Sequence, residues 1–321
     1  MRVVLSILFI TFPFFALVLC GYVAARLGLL PPAAIPGLNT FVLFFALPCM
    51  LYRFGASTPI AQLLNGTLMG VYLVCALIMV GLTIAVTRKG VIQWNDASFG
   101  ALVAAFPNTG FMGVPLLVAL LGAQAAGPAI VSIVVDLLIT SSLCIALSRL
   151  DAAGVHGAEV AAKKALQGVA LNPMPWAILL GGLSSAVGLG LPAPVQQTIA
   201  LLADAASPVA LFTIGGVLAR SQMNSTQRTP FSHYVPVTFI KLVVHPLLVW
   251  LVGMGAIALG LPLDRFALTV VVLVAALPSA SNVAMLAERF GADNGRIARI
   301  ILLSTVLAFF SFSAAVALLT P

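Results

Sequence analysis

The stretch Phe106-Pro107-Asn108-Thr109-Gly110-Phe111-Met112-Gly113-Val114-Pro115 interrupts a hydrophobic segment that runs from Ser98 to Leu121. A second hydrophobic segment, Arg265 to Phe290, is interrupted in the same way by Leu277-Pro278-Ser279-Ala280-Ser281-Asn282. A lipid-facing helix does not tolerate such a break, because the freed backbone N–H and C=O groups find no water to bond. Matched broken helices in corresponding halves of a chain point to a secondary transporter's binding site.

Composition supports a membrane setting. The chain has 321 residues, of which 62% are hydrophobic and 7% charged, and its mean hydropathy is +1.18. A soluble domain carries roughly 25% charged residues, so no room is left for a sizeable soluble domain. The formal net charge of +7 does not indicate nucleic-acid binding. The basic residues sit in short loops between apolar runs, as orientation signals do. Cys20, Cys49, Cys75 and Cys144 all fall inside apolar runs and read as packing residues. The run from Arg2 to Cys20-Gly21 is read as an uncleaved first span, since Leu19 is too large for the small-residue position before a cleavage site.

Apolar runs of spanning length are expected near 3–25, 34–53, 66–87, 97–121, 127–148, 173–189, 196–219, 235–259, 265–288 and 297–319. The fold class is therefore an all-α polytopic membrane protein of about ten transmembrane helices. Residues 1–148 form a first five-helix repeat, 149–172 a cytoplasmic linker and 173–321 a second repeat. Arg2, Arg53 and Arg265 lie on one side of the membrane. Arg26, Arg88, Lys89, Arg149, Lys163, Lys164, Arg220, Arg228, Arg289, Arg296 and Arg299 lie on the other. The positive-inside rule makes the second side cytoplasmic and both termini periplasmic.

Internal correspondences support a repeat. Pro107 and Pro278 differ by 171 positions, Gly122 and Gly291 by 169, and Pro48 and Pro208 by 160. With five spans per half, the second half enters from the opposite side, so the repeat is inverted. Helices 4 and 9 then cross near the midplane. Their half-helix beginnings suit a carboxylate. Asn108, Thr109, Ser279, Ser281 and Asn282 add hydrogen-bonding side chains, and Gly110 lets a ligand approach the backbone. The substrate site is expected at Pro107, Asn108, Thr109, Gly110, Pro278, Ser279, Ser281 and Asn282. Proline kinks packed against neighbouring helices are the plain alternative.

Four ionisable groups lie at membrane depth: Asp136, Asp204, Lys241 and His245. Such groups mark pathways, relays or pairs. Asp136 or Asp204 is expected to carry a coupling cation or to pair with Lys241. Three have a plainer reading: hydration of Asp204 near the outer surface, snorkelling by Lys241, or a His245 bond to a carbonyl freed by Pro246; Asp136 is hardest to explain away, since its short side chain cannot snorkel from mid-span. No catalytic motif of soluble enzymes is visible. His156, His233 and His245 are scattered, so neither a metal site nor a cofactor is expected. Trp94 and Trp176 read as interfacial anchors.

At these residues the chain resembles the auxin efflux carrier family, which includes bacterial malonate-transporter-like permeases. The resemblance rests on Asn108-Thr109-Gly110-Phe111-Met112-Gly113-Val114-Pro115-Leu116, on Leu171-Asn172-Pro173 through Gly181, and on Ala206-Ser207-Pro208 through Gly216. It also rests on Lys241-Leu242-Val243-Val244-His245-Pro246 and Pro278-Ser279-Ala280-Ser281-Asn282. It implies two inverted five-helix repeats divided into scaffold and transport domains, with substrate bound where helices 4 and 9 cross and carried by an elevator-like movement. The implied cargo is a small organic anion, malonate-like first, moved across the bacterial inner membrane. The implied partners are that anion and the lipid bilayer. A proton or sodium as coupling ion and a homodimer remain open. Rival readings are a sodium-coupled symporter of the bile-acid type, a membrane-embedded enzyme acting on lipid, and a non-transporting sensor or partner subunit.

Overall fold

The computed structural model describes residues 2–59, 65–150, 163, 167, 170–224 and 229–320. Asp151, His156, Glu159 and Lys164, in the expected linker, and Arg228 lie outside the described residues, as does most of 149–172. Among the described residues every regular element is helical. We label the crossing segments α1 (Arg2–Arg26), α2 (Pro32–Ser57), α3 (Gly66–Thr87), α4a (Trp94–Ala105), α4b (Thr109–Leu121) and α5 (Ala123–Leu147). The remainder are α6 (Pro173–Val187), α7 (Ala193–Asn224), α8 (Val235–Ala258), α9a (Arg265–Ala276), α9b (Asn282–Arg289) and α10 (Asn294–Leu319). Seven are long and apolar enough to cross a membrane, and three shorter apolar helices belong to segments 4, 6 and 9. The protein is an all-α polytopic membrane protein.

Local sequence explains where the helices start and stop. Asn172 caps α6 by accepting from the Met174 N–H at 3.0 Å, with Pro173 in the first turn where no N–H is needed. Asp264 caps α9a and Asp293 caps α10 in the same way. Gly122 and Gly291 follow α4b and α9b with φ of 86° and 68°, a conformation glycine adopts without the Cβ penalty.

Four helices contain a widened π-turn, and three of these turns share a cause. Val42–Ala46, Thr109–Gly113 and Ile240–Val244 each end two residues before a proline: Pro48, Pro115 and Pro246. Proline lacks an N–H, and its ring clashes with the carbonyl four residues back, which lies inside the widened turn. The fourth turn, Asp136–Thr140, has no proline. There the Ser141 hydroxyl donates to the Asp136 carbonyl at 2.8 Å, so side-chain back-bonding accompanies the widening.

Two helix pairs touch backbone to backbone. A Cβ on Gly21 of α1 would stand 1.8 Å from the Phe212 carbonyl oxygen of α7, and one on Gly215 of α7 would stand 2.0 Å from that of Val18. In α2 and α6, a Cβ on Gly181 would stand 2.5 Å from the Tyr52 carbonyl oxygen, and one on Gly55 would stand 3.1 Å from that of Ile178. Small residues permit this approach in membranes, where packing replaces the hydrophobic drive. α3 packs on α4a, α8 on α9a, and α3 on α8.

The ends of α4a, α8 and α10 are tied by one side chain. Arg296 is 1% exposed. Its Nε donates to the His233 carbonyl and its Nη1 to the Asp96 carbonyl, both at 2.8 Å.

Gly215→Val should abolish the α1–α7 approach, because a backbone carbonyl cannot yield as a flexible side chain can. We expect loss of the monodisperse peak in size-exclusion chromatography. Gly70→Val, where a Cβ meets nothing within 4 Å, should leave the peak unchanged.

Candidate functional site

The prolines build the centre of the molecule. A proline pushes the residue before it out of the helical region. Accordingly Phe106 (φ −98°, ψ 101°) and Leu277 (φ −63°, ψ 157°) are extended. The two breaks lie antiparallel and pair, Pro107 opposite Ser279. The Asn108 N–H donates to the Pro278 carbonyl at 2.8 Å, and the Ala280 N–H donates to the Phe106 carbonyl at 2.9 Å. The Ser279 N–H reaches Ser304 Oγ of α10 at 3.2 Å. Within α4 the Met112 and Gly113 N–H groups share the Asn108 carbonyl at 3.1 and 3.0 Å. Each break thus supplies the backbone partners that the other needs.

Side-chain atoms at the crossing are left over. Asn108 Oδ1, Thr109 Oγ1, Ser279 Oγ and Asn282 Oδ1 are buried without a partner. Unmet buried polar atoms cost about 1–3 kcal/mol each, so each calls for an explanation such as a bound water or ligand. The small cavity here is lined by Pro107, Asn108, Gly110 and Asn282 among the expected residues. Thr109, Pro278, Ser279 and Ser281 are not in its lining; Pro278 acts through its carbonyl. The apolar wall is Leu47 of α2, Ile133 and Leu137 of α5, Met174 of α6, Phe106 and Phe111. Sequence reading missed this wall, apart from α2, where Pro48 follows Leu47. α7 packs on the Thr109–Gly113 turn. Among the described residues no charged side chain lines the cavity. Its free volume is about 20 Å³, water-sized rather than carboxylate-sized.

Lys241 stands behind this site rather than in it. Its Nζ donates to the Ala275 carbonyl at 2.8 Å and lies 3.1 Å from His245 Nδ1. Ala275 is in the last turn of α9a, where carbonyls lose their helical partners, so a cation there suits the helix dipole. Asp136 is fully buried nearby. It accepts from Tyr72 Oη at 3.0 Å and from Thr140 Oγ1 at 3.2 Å. His245 Nε2 is buried and unpartnered. Asp136 and Lys241 lie within the π-turns of α5 and α8, and His245 directly follows the second turn. Asp204 does not belong to it. Asp204 is bonded to Arg53 at 2.7 Å, the one ion pair among the described residues, and so joins α2 to α7 at an exposed position. Tyr72 carried no signal in the sequence beyond being a tyrosine within a span.

Residues 6–316 match the family model described as membrane transport protein. This chain belongs to that family. The match bears out the resemblance to the auxin efflux carriers. Among relatives, the transporter is 32% identical over 306 residues to a Rhizobium meliloti (strain 1021) protein named "Putative malonate transporter", with 92% of this chain and 90% of that protein covered. It is 28% identical over 311 residues to an uncharacterized transporter of Methanothermobacter thermautotrophicus, with 92% of each covered. An Escherichia coli (strain K12) relative, the uncharacterized transporter YfdV, is 31% identical over 61% of this chain and 59% of its own length. As a member of this family the chain is a membrane transport protein.

The Tyr72–Asp136 pair can be weighed in isolation. Tyr72→Phe leaves a buried carboxylate short of a donor and should lower stability by about 1–3 kcal/mol. Asp136→Asn should cost a similar amount. The double variant should cost less than the two together, because Tyr72→Phe removes and Asp136→Asn weakens the same hydrogen bond. Melting temperatures of the four proteins in one detergent would check this.

Proposed function

We propose that this protein is a secondary transporter carrying a small organic anion, malonate or a close carboxylate relative, across the bacterial inner membrane. The observation that carries the reading is the group of unpartnered polar atoms gathered where two broken helices brace each other. The Nδ2 donors of Asn108 and Asn282, with the half-helix beginnings of α4b and α9b, are the recognition groups for the carboxylate, while the two Oδ1 atoms, which only accept, would take a bridging water. The malonate named for the Rhizobium relative is the first substrate to test.

We read the chain as two inverted repeats, 1–148 and 173–321. The close-packed glycines support this: Gly21 and Gly181 differ by 160 positions, as do Gly55 and Gly215, matching Pro48 and Pro208. The α1–α7 and α2–α6 contacts would then be one contact repeated, making α1, α2, α6 and α7 a fixed frame. The remaining six segments would move against it as an elevator, carrying the crossing. The coupling ion, proton or sodium, would be taken at Asp136, in the cluster directly behind α9a. Both termini would face the periplasm, and a homodimer would bury part of the apolar outer surface.

Uptake of radiolabelled malonate into proteoliposomes tests the reading. Saturable uptake is expected, with Asn108→Ala and Asn282→Ala each lowering it about tenfold or more, as loss of a charge-assisted hydrogen bond implies. Asp136→Asn should remove stimulation by an imposed pH or sodium gradient while leaving malonate binding in place. Folded protein that transports equally well with Asn108→Ala would reject the crossing as the substrate site.

A further inference from the structure

The crossing holds no cationic side chain, yet an anion must find it. A second cavity, of about 310 Å³, lies between the end of α7 and the junction of α9b with α10. Val217, Arg220 and Ser221 form one wall; Ala284, Met285, Glu288, Asn294 and Gly295 form the other. Its size suits a small ligand. Arg220 is half-buried, and among the described residues it has neither a hydrogen-bond partner nor an ion-pair partner. A guanidinium is built for planar carboxylate recognition, and this one lines the cavity with its donors uncommitted. Glu288 lines the same cavity but is exposed, where solvent screens its charge.

The cavity is next to the crossing. Met285 follows Asn282 by one helical turn on α9b. Its sulfur accepts from Asn39 Nδ2 of α2 at 3.4 Å, so α2 bonds to a residue that lines the cavity. The face on which the cavity lies also carries most of the net charge. The eleven Lys and Arg residues assigned there face five acids: Asp96, Asp151, Glu159, Glu288 and Asp293. The opposite face has three against two, Asp204 and Asp264. A cleft on a face of one sign concentrates ions of the other.

We propose that this cavity is a second carboxylate station, with Arg220 as its anchoring charge, on which the transported anion rests before or after the crossing. The station rests on the reading of the protein as an organic-anion carrier.

The test uses the full chain in nanodiscs, with both faces accessible. Cys20, Cys49, Cys75 and Cys144 are replaced and Ser221→Cys places one thiol in the cavity. Its modification rates with an anionic and a cationic methanethiosulfonate reagent are compared, with and without malonate. The anionic reagent should be favoured, and malonate should slow modification. R220Q should lower the anionic-to-cationic rate ratio about fivefold, as expected for one nearby charge in a wet site, and abolish the slowing by malonate. R220K should preserve the ratio, and E288Q should raise it. A ratio and a malonate effect unmoved by R220Q, in protein that R220K shows to be folded, would overturn the station. Asn108→Ala separates the two sites. Malonate protection that persists in Asn108→Ala while uptake is lost supports the station. Protection lost with Asn108→Ala but kept with R220Q assigns it to the crossing and rejects the station. Uptake intact in Asn108→Ala, with Arg220-dependent protection, rejects the crossing and leaves the station standing.

Discussion

Two hydrogen bonds between Phe106–Asn108 and Pro278–Ala280 hold the centre of this protein together. Hydrocarbon offers no partner to an open backbone group, so neither break is tenable alone. Each proline forces its predecessor to be extended, and the extended piece can be satisfied only by another extended piece. The remainder of the crossing follows. Ser304 of α10 takes up the Ser279 N–H, and Lys241 of α8 takes up a carbonyl from the end of α9a. Among the described residues, four side-chain atoms at the crossing are left without partners, and two of them belong to residues that line its cavity. Structural closure of the backbone and chemical openness of the side chains coexist at one point.

The buried Asp136–Tyr72–Lys241–His245 region follows from the same constraint. An ammonium in the membrane interior is costly unless bonded, and Lys241 is bonded to the backbone that the break exposes. Movement of α9a would therefore displace Lys241, and through it the surroundings of Asp136. This gives a physical connection between the crossing and the cluster, made of one helix end and one side chain.

The spans and both breaks were legible because hydropathy and proline act locally. Segments 4 and 9 were placed from Pro107 and Pro278, and their pairing followed from the need to satisfy backbone. The π-turns were not read, although each X-Pro pair after a long apolar run was a usable signal. The wall of Leu47, Ile133, Leu137 and Met174 was unreadable because it comes from three helices far apart in sequence. Sequence set Asp204 apart from Asp136 only by its nearness to the outer end of its span. Both sit in apolar helices, and only packing shows that one meets Arg53 at the surface while the other is sealed beneath Tyr72.

The small volume at the crossing has a thermodynamic consequence. A site that admits little more than a water molecule binds nothing larger until it opens, so affinity measured on the whole population is the intrinsic affinity diminished by the open fraction. If about 1% of molecules were open, apparent binding would be weaker by about 2.7 kcal/mol than the contacts alone imply. Weak equilibrium binding in this protein would then describe how seldom the helices part, and not how well the asparagines fit their ligand.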